Sequence, residues 1–150
     1  MKFLTMLLLA SSSLLFAYQK GESIDPEILK KMELQSGKIY VIDFFASWCS
    51  SCKTEMPLLI KAGHAIDSNQ SELIGVDVDK DHDKGVAFQK ELAIDFRVIN
   101  DNDNAIIQAF DPLGMPSLYV VKDGKVVDLL FGAHDDIDQL IIDEIKELSQ

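Results

Sequence analysis

Two periodicities of hydrophobic and polar positions alternate along this chain. After Asp25, a good N-cap, and Pro26, suited to a first helical position, Ile28, Leu29 and Met32 recur at helical spacing. A short helix is therefore expected from Pro26 to about Gln35, ended by Gly37. The stretch 38–46, KIYVIDFFA, is β-branched and aromatic almost throughout, the pattern of a strand buried on both faces of a parallel or mixed sheet. Asp43 is its one anomaly. Beyond Trp48-Cys49-Ser50-Ser51-Cys52, the positions Met56, Leu59, Ile60 and Gly63 mark one side of a helix over 53–67, with a kink expected at Pro57. A second strand is read at 73–78, a helix at 84–92, a short extended piece at 96–99, and one or two helical turns at 105–110. Runs 115–121 and 125–131 flank an Asp123-Gly124 turn and predict an antiparallel hairpin. The last helix, from about Asp135, shows Ile137, Leu140, Ile141, Ile145 and Leu148 on one face. Strands that alternate with helices and end in a hairpin give an α/β fold, a mixed sheet covered on both faces. There is no internal repeat and no linker.

The first residues do not fit this scheme. Met1–Ala17, MKFLTMLLLASSSLLFA, carries one charge at Lys2, then an apolar run, then a small residue before polar YQKGES, which reads as a secretory signal peptide. The run is shorter than the ~20 residues that span a bilayer, so an uncleaved signal anchor is the weaker alternative. The expected organisation is a signal peptide at 1–17, an N-terminal helical segment at 18–36 and one domain at 37–150, in a periplasmic or otherwise exported protein. With 47% hydrophobic residues and only 8 Gly and 4 Pro among 150, the remainder has the material for a single core. A net charge of −11 repels polyanions and removes nucleic acid from the partners.

The chemistry concentrates in two cysteines, Cys49 and Cys52. A structural zinc site wants four ligands, and His64, His82 and His134 are scattered; a purely structural disulfide would close too small a loop to add much stability. A C-x-x-C pair between a strand and a helix instead places the first sulfur at a helix N-terminus, where free amides favour the thiolate. Cys49 is then the nucleophile. Cys52, one turn deeper, resolves the mixed disulfide. A lone carboxylate inside an apolar strand is costly when ionised, so Asp43 should hold its proton more tightly than usual and serve as a proton acceptor. The alternating acids of 77–83 fail the calcium-loop pattern at its glycine and twelfth positions and read as a solvated loop; 100–104 reads as a turn. The Pro-x-x-x-Thr-x-x-Cys loop of peroxidases is absent, and the cysteine spacing is one short of the C-x-x-x-C of copper-delivering relatives. Neither metal nor cofactor is expected.

The segments VIDFFASWCSSCKTEMPLL and GMPSLYVVKDGKVV resemble the thioredoxin-like proteins, and within them the exported TlpA/ResA-type thiol-disulfide oxidoreductases that serve cytochrome c maturation and similar tasks. The resemblance covers about residues 37–150. It implies a three-layer sandwich with a mixed central sheet, a redox-active Cys49–Cys52 disulfide, and a cis Met115-Pro116 bond facing the dithiol. It also implies that Trp48, Met115 and Pro116 meet the substrate. Asp43, six residues before Cys49, matches a buried carboxylate that relays the proton of the second thiol, and Glu55, three after Cys52, matches an acidic residue that tunes thiol acidity. Implied partners are protein thiols and disulfides and a membrane thiol electron donor, with the protein a monomer. Three features depart from the family: Ser50-Ser51 replaces the usual x-Pro between the cysteines, Asp43 stands where cytochrome-maturation members commonly have Asn, and a helix replaces the N-terminal β-hairpin. An oxidant or isomerase, or a non-catalytic binding module, are the competing functional readings.

Overall fold

In the computed structural model, residues 17–150 are described; the expected signal peptide, all but Ala17, lies outside them. The elements are α1 (Pro26–Lys31), β1 (Ile39–Phe45), α2 (Ser50–Ala65), β2 (Ser71–Asp77), α3 (His82–Glu91), β3 (Arg97–Asn100), α4 (Ala105–Phe110), β4 (Ser117–Lys122), β5 (Lys125–Phe131) and α5 (Ile137–Leu148). The strands form one sheet in the order β3-β2-β1-β4-β5. β1 runs parallel to β2 and antiparallel to β4, so the sheet is mixed.

All seven residues of β1 are buried, as expected of a central strand covered twice. Alternation sends Ile39, Val41 and Phe45 toward α2 and α5, where they join Met56, Leu59, Ile137 and Ile141. Tyr40, Ile42 and Phe44 point the other way, into a layer with Met32, Ile106, Phe110 and Tyr119. Three layers result, with the sheet in the middle. The β4–β5 hairpin closes through Asp123 and Gly124, both at positive φ (51° and 72°), the geometry of a type I′ turn.

Helix boundaries depart from the sequence expectation for local reasons. α1 ends at Lys31, not Gln35, because Glu33 takes φ 54° and the amides of Glu33 and Leu34 bond back to the carbonyls of Lys30 and Leu29, a Schellman closure without glycine. α2 begins at Ser50 rather than Lys53 and continues through Pro57 as a helix. The N-terminal segment joins the main body: Ser23 bridges Lys125, and the Tyr18 ring meets Phe110 edge-on at 5.0 Å. Among the described residues, no helix is long and apolar enough to cross a membrane.

Candidate active site

The cysteines sit where β1 hands over to α2. A turn bonds the Cys49 amide to the Ala46 carbonyl, and Cys49 becomes the N-cap of α2, its Sγ accepting the Cys52 amide at 3.2 Å. The two are joined as a disulfide. Cys49 is 7% exposed and Cys52 1%, while Trp48 beside them is 68% exposed. The outer sulfur therefore belongs to Cys49. It lies in the wall of a groove of about 580 Å³, lined on one side by Trp48, Cys49, Ser50 and Ser51 and on the other by Asp111, Pro112, Gly114 and Met115. The Met115-Pro116 bond on that opposite side is cis.

Two carboxyl groups are buried on the side of the sheet that also holds the disulfide. Asp43 shares the face of β1 that meets α2, between Gly75 on β2 and Leu118 on β4. It is 1% exposed, and neither carboxyl oxygen has a hydrogen-bond partner. Burial first, and then the charge of Glu55, push its carboxyl well above the usual range. Glu55 falls on the stripe Cys52, Glu55, Met56, Leu59, Ala62 that α2 buries, and is itself 4% exposed. Its Oε1 accepts the His134 backbone N–H at 2.9 Å. Burial raises the Glu55 carboxyl, opposed by that bond and by the His134 imidazole.

Of the residues singled out from the sequence, Trp48, Cys49 and Met115 line the groove, Pro116 follows Met115 through the cis bond, and Asp43 and Glu55 are buried. The acidic run after β2 is a correction: the solvated loop is in part a buried brace. Asp77 is 1% and Asp79 4% exposed. Asp79 accepts both the backbone N–H and the hydroxyl of Ser47, at 2.7 and 2.8 Å, and Asp77 accepts the Asp79 amide and the Gln89 side chain. The brace fixes the residue two before Cys49. Asp101, in the polar run read as a turn, is buried too and accepts the Ile106 and Ile107 amides at the start of α4. His134, whose backbone N–H meets Glu55, was not singled out for the site either. Among the described residues, no cluster of three or more His, Cys, Asp or Glu is arranged to hold a metal.

A five-stranded mixed sheet between two helical layers, with a C-x-x-C pair capping the helix after the central strand and a cis-proline loop across from it, defines a protein of thioredoxin-like fold. The chain belongs to the AhpC/TSA family, whose model matches residues 17–129. It is 28% identical over 106 residues to the thiol-disulfide oxidoreductase ResA of Bacillus subtilis (strain 168), covering 69% of this chain and 59% of that protein. Over 99 residues it is 32% identical to a thioredoxin of Coprinus comatus, covering 66% and 73% of the two chains. The solution structure of a thiol:disulfide interchange protein from Bacteroides sp. superposes with TM-score 0.66 at 21% identity, over 87% of this chain and 93% of that one. The chain spans about 60% of the length of the ResA relatives it matches.

Proposed function

We propose that this chain is a thiol-disulfide oxidoreductase, exported by a leader at residues 1–17 ahead of an N-terminal segment (18–36) and a thioredoxin-like domain (37–150). It acts as a monomeric reductant of particular protein disulfides, such as those of apocytochrome c, and draws electrons from a membrane thiol donor. The observation that carries this reading is the graded burial of the sulfurs, Cys49 on the groove and Cys52 beneath it. The names of the similar proteins support the reaction class.

In the reduced protein the Cys49 thiolate, favoured by the α2 amides, attacks one sulfur of a substrate disulfide and expels the other as a thiolate. Trp48 and the Met115-Pro116 backbone hold the substrate chain in the groove. Asp43 takes the Cys52 proton, the Cys52 thiolate attacks Cys49 Sγ, and the Cys49–substrate bond breaks with its electron pair leaving on the substrate sulfur. Two electrons pass from the dithiol to the substrate. Glu55, beside Asp43, tunes the acidity of these groups.

Trapping tests the roles. Cys52→Ser should accumulate a Cys49-linked mixed disulfide with substrate, and Cys49→Ser should form none; a disulfide trapped through Cys52 reverses the assignment. Failure of the wild-type protein to catalyse insulin reduction by dithiothreitol would instead point to a non-catalytic binding module.

A further inference from the structure

The acidic run that follows β2 turns its acids inward and one cation outward. Asp77 and Asp79 are buried and committed to the Gln89 side chain, to Ser47 and to a backbone amide of their own run. Asp81 caps α3 and pairs with Lys84. Lys80, between them, is exposed and lines the groove that holds Cys49. Lys53 and Lys61 of α2 and Lys84 of α3 are each held by an acid, Glu91, Asp138 and Asp81. Among the described residues Lys80 has no acid within ion-pair distance, although Asp111 lines the same groove.

α4 forms the wall across from the dithiol. Asn104, Ile107 and Asp111, at its start, middle and end, recur at helical spacing and so share the face that lines the groove. Seven residues of helix span about 10 Å. Asn104 belongs to the Lys80 end: the Asn102 side chain donates to the Asp79 carbonyl at 3.1 Å, and the Asp101 amide to the Asp77 carbonyl at 2.8 Å. The Asn104 side chain makes no capping hydrogen bond, which leaves its amide and the Lys80 ammonium as donors without a partner. At the other end Asp111 leads into Pro112 and the cis Met115-Pro116 bond. The groove is therefore polarised, with a cation and an amide at one end, a carboxylate at the other, and apolar Val78 and Ile107 in its lining.

On the oxidoreductase reading above, we propose that Lys80, assisted by Asn104, selects protein substrates that carry an Asp or Glu within about three residues of the reacting cysteine, since ~10 Å of groove holds that much extended chain. A carboxylate suits both donors, because its two oxygens accept from the ammonium and the amide at once. The selection is local. At net charge −11 the molecule repels an acidic partner at long range, so the acid is a single residue beside the substrate disulfide and not the mark of an acidic protein. A basic residue at the same place meets the Lys80 ammonium and is disfavoured. Lys80 acts on the substrate chain and not on the sulfurs, so it alters which disulfide is reduced and not how.

Peptide disulfides that differ only in a Glu, Gln or Lys two residues from the reacting cysteine test this, with the variable residue before the cysteine in one set and after it in another. For each peptide kcat/KM is measured with the reduced wild type, Lys80→Gln and Lys80→Glu. In one of the sets the wild type should favour Glu over Gln about threefold, the size of an exposed ion pair, and the preference should fade at ~1 M salt. Lys80→Gln should abolish the preference, and Lys80→Glu should invert it in favour of Lys. Asn104→Ala should weaken it without inverting it. Ratios taken within one variant cancel any change in folding or in thiol reactivity. A wild type that fails to favour Glu in either set, or a preference unaltered by both Lys80 substitutions, overturns the inference while leaving the oxidoreductase reading standing. Reduction of none of the peptides by the wild type would overturn that reading instead.

Discussion

Asp43 is the residue whose environment departs most from what its side chain prefers. Its carboxyl is buried, unpartnered and faced by another acid, so its pKa is raised in the folded state by burial and by Glu55. The linked effect on stability has a definite sign. Between the unfolded carboxyl pKa, about 3.9, and the raised folded value, the native state binds more protons, and stability falls as pH increases. Asp43→Asn removes this burden. It should raise the urea midpoint at neutral pH, by a few kcal/mol in free energy, with the gain vanishing below about pH 3, where both states are protonated. An equal gain at both pH values would mean that packing, not charge, is responsible. The same residue shows how far the site was legible. Asp43, Cys49 and Cys52 stand out because the anomaly or spacing is local in the chain, and Glu55 lies on the stripe that contains Cys52 and Met56. Asp79 and His134 do not stand out, because the partners that define them, Ser47 and Glu55, are 32 and 79 residues away.

The strands were readable as elements because burial on two faces demands β-branched and aromatic residues in unbroken runs, and the hairpin because only certain residues tolerate a type I′ turn. Helix ends were less so. Sequence reading looks for glycine at a left-handed C-terminal position, yet α1 turns through Glu33 and α3 through Ala93, both at positive φ. In α3 the Ala93 and Ile94 amides bond to the Lys90 and Gln89 carbonyls, the same Schellman pattern as in α1. No composition signal marks these sites, since the closure is imposed by where the next segment must go. α1 is followed by a loop to the buried strand β1, and α3 by the chain leading to edge strand β3. An L-residue in this region costs about 1 kcal/mol or somewhat more. Ala93→Gly relieves that strain and loosens the unfolded chain, which takes back part of the gain. The expected net outcome is a stabilisation of about 0.5 kcal/mol, read as a raised denaturation midpoint with unchanged m-value. A lowered midpoint would show that Ala93 is held by side-chain packing, not tolerated.

At the scale of the whole molecule, the fold brings together at one end of its sheet a helix terminus, two buried acids and an exposed indole, and that combination bears on the direction of electron flow. A strongly oxidising dithiol needs a thiolate stabilised well beyond the ordinary, which usually means a cation in the turn between the cysteines. Here that turn is Ser50-Ser51. The Cys49 sulfur has the α2 terminus and the Cys52 amide at 3.2 Å and shares its groove with Lys80, while the buried acids Asp43 and Glu55 work against a thiolate. The chain as a whole, at net charge −11, adds no positive background. The stabilisation of Cys49 should therefore be moderate. The Cys49–Cys52 couple is expected nearer the ~−270 mV of thioredoxin than the ~−120 mV of the strongest oxidants, a span in which each ~30 mV is tenfold in equilibrium. Equilibration with glutathione or dithiothreitol buffers measures it directly, and alkylation trapping in intact cells should then find both cysteines mainly as thiols. A potential at the oxidising end, with the pair mostly disulfide-bonded in cells and a reduced test protein readily oxidised, would transfer the assignment from reductant to oxidant. The fold and the groove would stand unchanged, because those rest on burial and geometry and not on the potential.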